Sequence, residues 1–159
     1  MSERVCAVVN GMPFEGRVPA HELLLDFLRE ELGLTSVKQS CEVEVCGTCT
    51  VLVDGAPVSS CCFLAADIDG RRVETLEGLV GTPFHRSAVE AFMRHAAVQC
   101  GFCSAGMILT AKVLADRRVE PSPDEISQAM SGNLCRCTGY RSIRDAITEI
   151  LREREGTPA

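Results

Sequence analysis

Hydrophobic positions come in short runs through the first half of the chain and take up a helical spacing in the second half. Residues 4–10, Arg-Val-Cys-Ala-Val-Val-Asn, read as a Val-rich strand. Asn10-Gly11 is a hairpin signal, and Phe14 to Val18 is the expected return strand. A helix is predicted over His21 to Leu32, with Leu23, Leu24, Phe27 and Leu28 on its inner stripe and Asp26, Arg29 and Glu30 outside. Gly33 stands where a left-handed helix stop belongs. Thr50 to Asp54 reads as a strand, Asp54-Gly55 as a turn, and Pro57-Val58-Ser59 as a short return. After a turn at Asp69-Gly70, Arg72 to Thr75 is a further strand, and this compact α+β unit ends near Gly78.

Past Gly81 the texture is helical. Pro83 can open a helix carrying Phe84, Ala88, Ala91 and Phe92, and a second runs from near Gly101 through Met107, Ile108, Ala111, Val113 and Leu114. Ser122-Pro123-Asp124-Glu125 is a capping box with Pro at the first helical position, which starts a third. A fourth is predicted from about Ser142 to Leu151, with Arg152 to Ala159 fraying. The expected division is therefore 1–80 and 81–159.

Apolar residues make up 46% of the chain but aromatics only 4%, so the core must rest on aliphatic side chains. The net charge is −6 and no Lys/Arg run stands out, which argues against a nucleic-acid surface. No apolar run is long enough for a membrane span. The N-terminus lacks the charged and then apolar pattern of an export signal, and Arg71-Arg72 is internal, so a cytoplasmic location is expected. Ten cysteines in that setting point to metal or redox chemistry rather than to disulfides.

Eight of the ten fall into two sets. Cys41-Glu-Val-Glu-Val-Cys46-Gly-Thr-Cys49 is followed after eleven residues by Cys61. This is the plant-type [2Fe–2S] spacing, in which three thiolates on one tight loop wrap a small cluster and a fourth returns to close the cage. Gly47 supplies a position where the backbone can bend and approach the sulfides. Structural cysteines or a zinc knot are the plainer readings, and the spacing favours iron–sulfur over both. Cys100-Gly-Phe-Cys103 and, thirty-one residues on, Cys135-Arg-Cys137 form the second set. Each pair falls at a helix end, so two helix pairs can enclose one cluster. By spacing alone a zinc site or a redox dithiol stands equally open.

Several segments carry a resemblance to a known family. They are Val9-Asn10-Gly11, Leu28-Arg29-Glu30, Cys41 to Val51, Ser60-Cys61, Thr75-Leu-Glu-Gly-Leu79, Gln99-Cys-Gly-Phe-Cys103 and Gly132-Asn-Leu-Cys-Arg-Cys-Thr-Gly-Tyr140. On these the chain resembles the small iron–sulfur subunit of the molybdenum hydroxylases, the family of xanthine oxidase and aerobic carbon monoxide dehydrogenase, over about residues 4–150. The resemblance implies an α+β chain: an N-terminal β-grasp, plant-type ferredoxin-like domain, then a C-terminal four-helix bundle, each holding one [2Fe–2S] cluster. Cys41, Cys46, Cys49 and Cys61 would hold the first, and Cys100, Cys103, Cys135 and Cys137 the second. Gln99 and the Cys137 backbone occupy positions that meet the molybdenum–pterin cofactor of a large subunit in the family. A medium subunit would carry FAD, and the complex would be a dimer of heterotrimers.

Two departures stand out. Ser104-Ala105-Gly106 replaces the usual Thr-Pro-Gly, with little change in ligation expected, and Cys61 is followed by Cys62. The family register selects Cys61, and strand alternation is expected to turn Cys62 away. Cys6 is expected as a small buried hydrophobe, and Cys62 likewise. His21, His85 and His95 show no ligand spacing, Arg136 either tunes a cluster or is simply solvated, and Tyr140 is expected to pack on the bundle. No dinucleotide fingerprint, phosphate loop or nucleophile motif occurs. The chain thus reads as an electron-transfer subunit without a substrate site of its own. The alternatives are a free two-cluster ferredoxin-type carrier and a zinc-stabilised binding module.

Overall fold

The computed structural model describes residues 1–117 and 121–155. Strand β1 (Ser2–Val9) buries Val5, Ala7 and Val9 on one face, as the two-residue period of a strand requires. It pairs antiparallel with β2 (Met12–Pro19) through a tight turn in which Asn10 and Gly11 both take left-handed φ, 50° and 79°. The same chemistry recurs at Asp54-Gly55 (φ 51° and 80°), which joins β3 (Thr50–Val53) to β4 (Ala56–Ser59). Strand β5 (Arg72–Glu74) lies between the two hairpins, parallel to β1 and antiparallel to β3. The result is a mixed sheet in the order β2-β1-β5-β3-β4.

The helix expected over His21 to Leu32 is shorter and wound differently. Helix α1 starts at Leu24, and after Leu24–Asp26 the chain widens into a π turn over Phe27–Glu31, with Leu32 N donating to Phe27 O. Leu23 stays extended because the chain there pairs with the segment after β4: Leu24 N donates to Phe63 O at 2.7 Å and Ala65 N to Glu22 O at 2.8 Å. Sheet-like pairing outcompetes another helical turn. It also shifts the buried set, so that Leu24, Leu25, Phe27 and Leu28 go inside while Leu23 is half-buried. Gly33 then ends the segment at φ 68°, as expected.

Short helix α2 (Leu76–Leu79) leads to four longer ones: α3 (Pro83–Arg94), α4 (Ser104–Asp116), α5 (Pro123–Met130) and α6 (Arg141–Glu155). Thr82 caps α3 through His85 N, and Ser122 and Glu125 cap α5 reciprocally. Nine of the thirteen residues of α4 are buried, so it is wrapped on nearly all sides. It contacts β3 as well as α5 and α6, and Leu52 of β3 belongs to the same core as Met107, Ile108 and Leu109. A second core lies under the sheet around Val5, Val51, Phe27 and Leu28. The architecture is an α+β ferredoxin-like unit followed by a helical one. Arg152 to Glu155 continue α6 instead of fraying, and the rest of the frayed tail expected to Ala159 lies outside the described residues.

Two cysteines break the sequence-based expectation. Cys6 is exposed, because it has the opposite strand parity to Val5 and Ala7; its backbone N–H donates to Asp69 Oδ1. Cys62 is exposed too, although not by strand alternation: Ser60–Cys62 is a tight helical turn.

Candidate metal centres

The first thiol set hangs on the loop between Gly33 and β3. Glu42 and Glu44 take left-handed φ of 57° and 59°, and Gly47 takes 67°. These alternating bends turn successive N–H groups inward, forming a nest that favours negative charge. Val45 N and Cys46 N both donate to Cys41 Sγ at 3.4 Å. The Val43 amide, with those of Val45 and Cys46, pulls the Cys41 thiol down to about 6. Thr48 Oγ1 stands 3.2 Å from Cys46 Sγ. Cys49 lies at the foot of β3, and Cys61 returns in the turn after β4, where Ser60 holds Cys49 O through its amide and hydroxyl. Burial pushes the Cys49 thiol up to about 11, so a bare thiolate there needs a neighbouring positive charge. The Cys62 sulfur sits 3.8 Å from that of Cys61, on the rim of the site rather than turned away from it.

The second set is built from two interhelical loops. Cys100 and Cys103 precede α4, with Gly101 at φ 80°, and Cys135 and Cys137 lie between α5 and α6. The Cys100 and Cys137 sulfurs are 3.6 Å apart, and the Cys103 and Cys135 thiols interact. Burial foremost pushes Cys103 up to about 12. At Cys135 burial also opposes charge, but the Thr138 hydroxyl at 3.2 Å and the backbone of Thr138 and Cys137 outweigh it and lower the thiol. Sharing a hydrogen with Cys100 raises Cys137. Tyr140 does more than pack: its hydroxyl accepts from Cys135 N at 2.9 Å and donates to Asn133 O at 3.2 Å, closing the loop that carries Cys135 and Cys137. Gln99 Nε2 donates to Cys137 O at 3.2 Å, so the two positions assigned to the pterin contact are brought together on an exposed edge.

Each of the eight thiols predicted from the spacing is brought to one other thiol of its own set. Within each set they stand two and two, Cys41 with Cys46 and Cys49 with Cys61, then Cys100 with Cys137 and Cys103 with Cys135. Pairs of sulfurs suit a two-iron core, in which each iron takes two thiolates. His21, His85 and His95 stay outside both sets, and His95 pairs with Glu149. Arg136 is exposed between its two cysteines.

The two sites share one seam. Leu134 N donates to Cys46 O at 2.8 Å, so the residue beside Cys135 in one set is bonded to the backbone of Cys46 in the other. Asn133 Nδ2 donates to Gly47 O at 2.9 Å. A Cβ on Gly47 would run into Gly132 O, and one on Gly106 into Gly47 O. Gly106 is the residue that Ser104-Ala105-Gly106 retains from the usual Thr-Pro-Gly, and close approach explains it. Glu77 clamps the segment ahead of the first loop, accepting from Ser36 N at 2.8 Å and from the hydroxyls of Ser36 and Thr75. Asn133, Leu134, Tyr140 and Glu77 all lie in the segments that carry the family resemblance, which was the only sequence signal for them.

Comparison with known proteins agrees with this geometry. Residues 7–77 match the family model of a 2Fe-2S iron-sulfur cluster binding domain, and residues 75–148 that of a [2Fe-2S] binding domain. The small FeS subunit of nicotinate dehydrogenase from Eubacterium barkeri is 51% identical over 124 residues, 78% of this chain and 79% of that one. The iron-sulfur-binding subunit of xanthine dehydrogenase from Escherichia coli O157:H7 is 44% identical over 148 residues, 92% of each. A chain of quinoline 2-oxidoreductase from Pseudomonas putida 86 superposes with a TM-score of 0.90 at 44% identity, covering 99% of both. With two matched cluster-binding domains and relatives that cover most of its length, the chain belongs to the small [2Fe–2S] iron–sulfur subunits of the molybdenum hydroxylase family of oxidoreductases.

Proposed function

We propose that this chain relays electrons within a heterotrimeric molybdenum hydroxylase, from the molybdenum–pterin cofactor of a large subunit to FAD in a medium subunit, the trimers pairing in the cytoplasm. The division near residue 80 separates the two cluster-binding units in this reading. Cys41, Cys46, Cys49 and Cys61 hold one [2Fe–2S] cluster, and Cys100, Cys103, Cys135 and Cys137 the other. When bound, each cluster supplies a centre that takes up and releases one electron. The protein's own part is to place, insulate and tune these centres. The nest around Cys41 and the hydroxyls of Thr48 and Thr138 offer hydrogen bonds to sulfur, which stabilise negative charge there. Gln99 and the Cys137 carbonyl offer a donor and an acceptor at the exposed edge of the second site, suited to a pterin.

The observation that carries the proposal is the pairing of thiols within each predicted set, the two sets lying on either side of one hydrogen-bonded seam. The sites also open on their outer sides. Val43 and Val45 are 64% and 59% exposed on the first loop, while Val98, Phe102 and Leu134 are 43%, 43% and 49% exposed around the second. Apolar side chains at both rims favour lasting burial against partner subunits over free diffusion as a carrier. Iron and sulfide analysis with low-temperature paramagnetic resonance tests this. The expected result is about four irons per chain and two distinct signals after reduction, with Cys41→Ala losing one signal and Cys103→Ala the other. Zinc in place of iron, or a single signal, would refute the assignment. Native complexes free of molybdenum and flavin would refute the trimer.

A further inference from the structure

We propose that Asn133 is a positioning residue that locks the two thiol sets in one relative placement and thereby sets the electronic coupling between their clusters. The proposal rests on the two-cluster relay above and goes beyond it. Asn133 is a buried polar residue at the seam, 4% exposed. Its carboxamide faces Gly47 O, which can only accept, so the NH2 end must point there; the bond is 2.9 Å. Its Oδ1 lies 2.9 Å from the Thr110 hydroxyl of α4, whose single hydrogen is shared between it and Gly106 O, also at 2.9 Å. Its backbone N–H donates to Met130 O, at the end of α5. Its backbone O takes the Tyr140 hydroxyl that also holds Cys135 N. One residue is thus bonded, directly or through one group, to the loop of Cys46 and Cys49, to α4, to α5 and to the loop of Cys135.

A polar group is the informative choice at this place. An apolar side chain of the same size could pack there, but it would allow the two units to slide or tilt. A buried amide bonded at both ends favours one register, as a lone buried Asn does in a coiled coil. The adjoining bond from Leu134 N to Cys46 O makes a backbone link between the sets, and its length depends on that register. The transfer it serves moves one electron, with no bond made or broken and no proton required of Asn133.

The test uses the full chain loaded with its clusters, as wild type, Asn133→Leu, Thr110→Val and Thr110→Ser. Iron content, the spin–spin splitting of the fully reduced protein and the rate of electron equilibration between clusters are read for each. Thr110→Ser, which keeps the hydroxyl, is expected to match wild type. Thr110→Val and Asn133→Leu are expected to keep full iron while the splitting narrows and equilibration slows several-fold. Wild-type splitting and rate in fully loaded Thr110→Val overturn the proposal, even where Asn133→Leu fails to load. A wild-type chain with one cluster overturns the relay itself and this inference with it, which separates the two failures.

Discussion

Three sulfurs of the first candidate site come from the nine residues Cys41–Cys49, whereas the second candidate site would take two from each of two loops that helices must bring together. The electrostatics follow that difference. At Cys41 the local backbone nest already favours thiolate, pulling it down to about 6. At Cys103 burial dominates and pushes the thiol up to about 12. The first site is prepared by loop conformation, the second by packing, and the seam at Gly47, Gly106 and Asn133 joins them.

The largest effect on this contrast is expected at the two seam glycines. Gly47→Ala both forces a side chain into left-handed φ and drives a Cβ into Gly132 O, for a loss of about 3 kcal/mol. Gly106→Ala meets only the close approach to Gly47 O, so it should cost less by about 1 kcal/mol. Denaturant unfolding of both variants ranks them, and the reverse order would mean that packing, not loop conformation, limits the first site.

A smaller, pH-dependent effect should fall on the first site alone. Burial would raise the Glu77 carboxyl, but the bonds from Ser36 and Thr75 outweigh it and hold its pKa below the ordinary carboxylate range. A depressed folded-state pKa contributes stability that is complete above the unfolded value and is lost as pH falls through the folded one. Acid titration below about pH 4.3 should therefore release the segment at Ser36 and weaken the first cluster's absorbance before the second's. Glu77→Gln should flatten that portion of the profile; an unchanged profile counts against the clamp.

The smallest effect is expected from Tyr140→Phe. It removes the hydroxyl shared by Cys135 N and Asn133 O and costs about 1 kcal/mol. Reconstitution should slow for the second cluster and leave the first unchanged. Equal slowing of both would show that the loops are less independent than their construction suggests.

Much of this was legible in the residues. Hairpin turns at Asn10-Gly11 and Asp54-Gly55, the caps at Gly33 and Ser122, and both cysteine spacings are local patterns with local causes. The misses had non-local causes. Cys6 was read by the company it keeps, while its parity in β1 puts it outside. Leu23 lost its place in the helix to pairing with the Phe63 segment, a partner forty residues away in sequence. Tyr140 looked like packing because nothing along the chain shows that its hydroxyl meets Cys135 N.

The chain alone determined the number of thiols, their grouping and the elements between them, because turn chemistry, capping and ligand spacing act over a few residues. Only the folded structure decided which atoms cross between the two units. Gly47, the helix turn that carries Gly106 and Thr110, and Asn133 are far apart in sequence, and the bonds between them exist only once the two cores meet and exclude water from one seam.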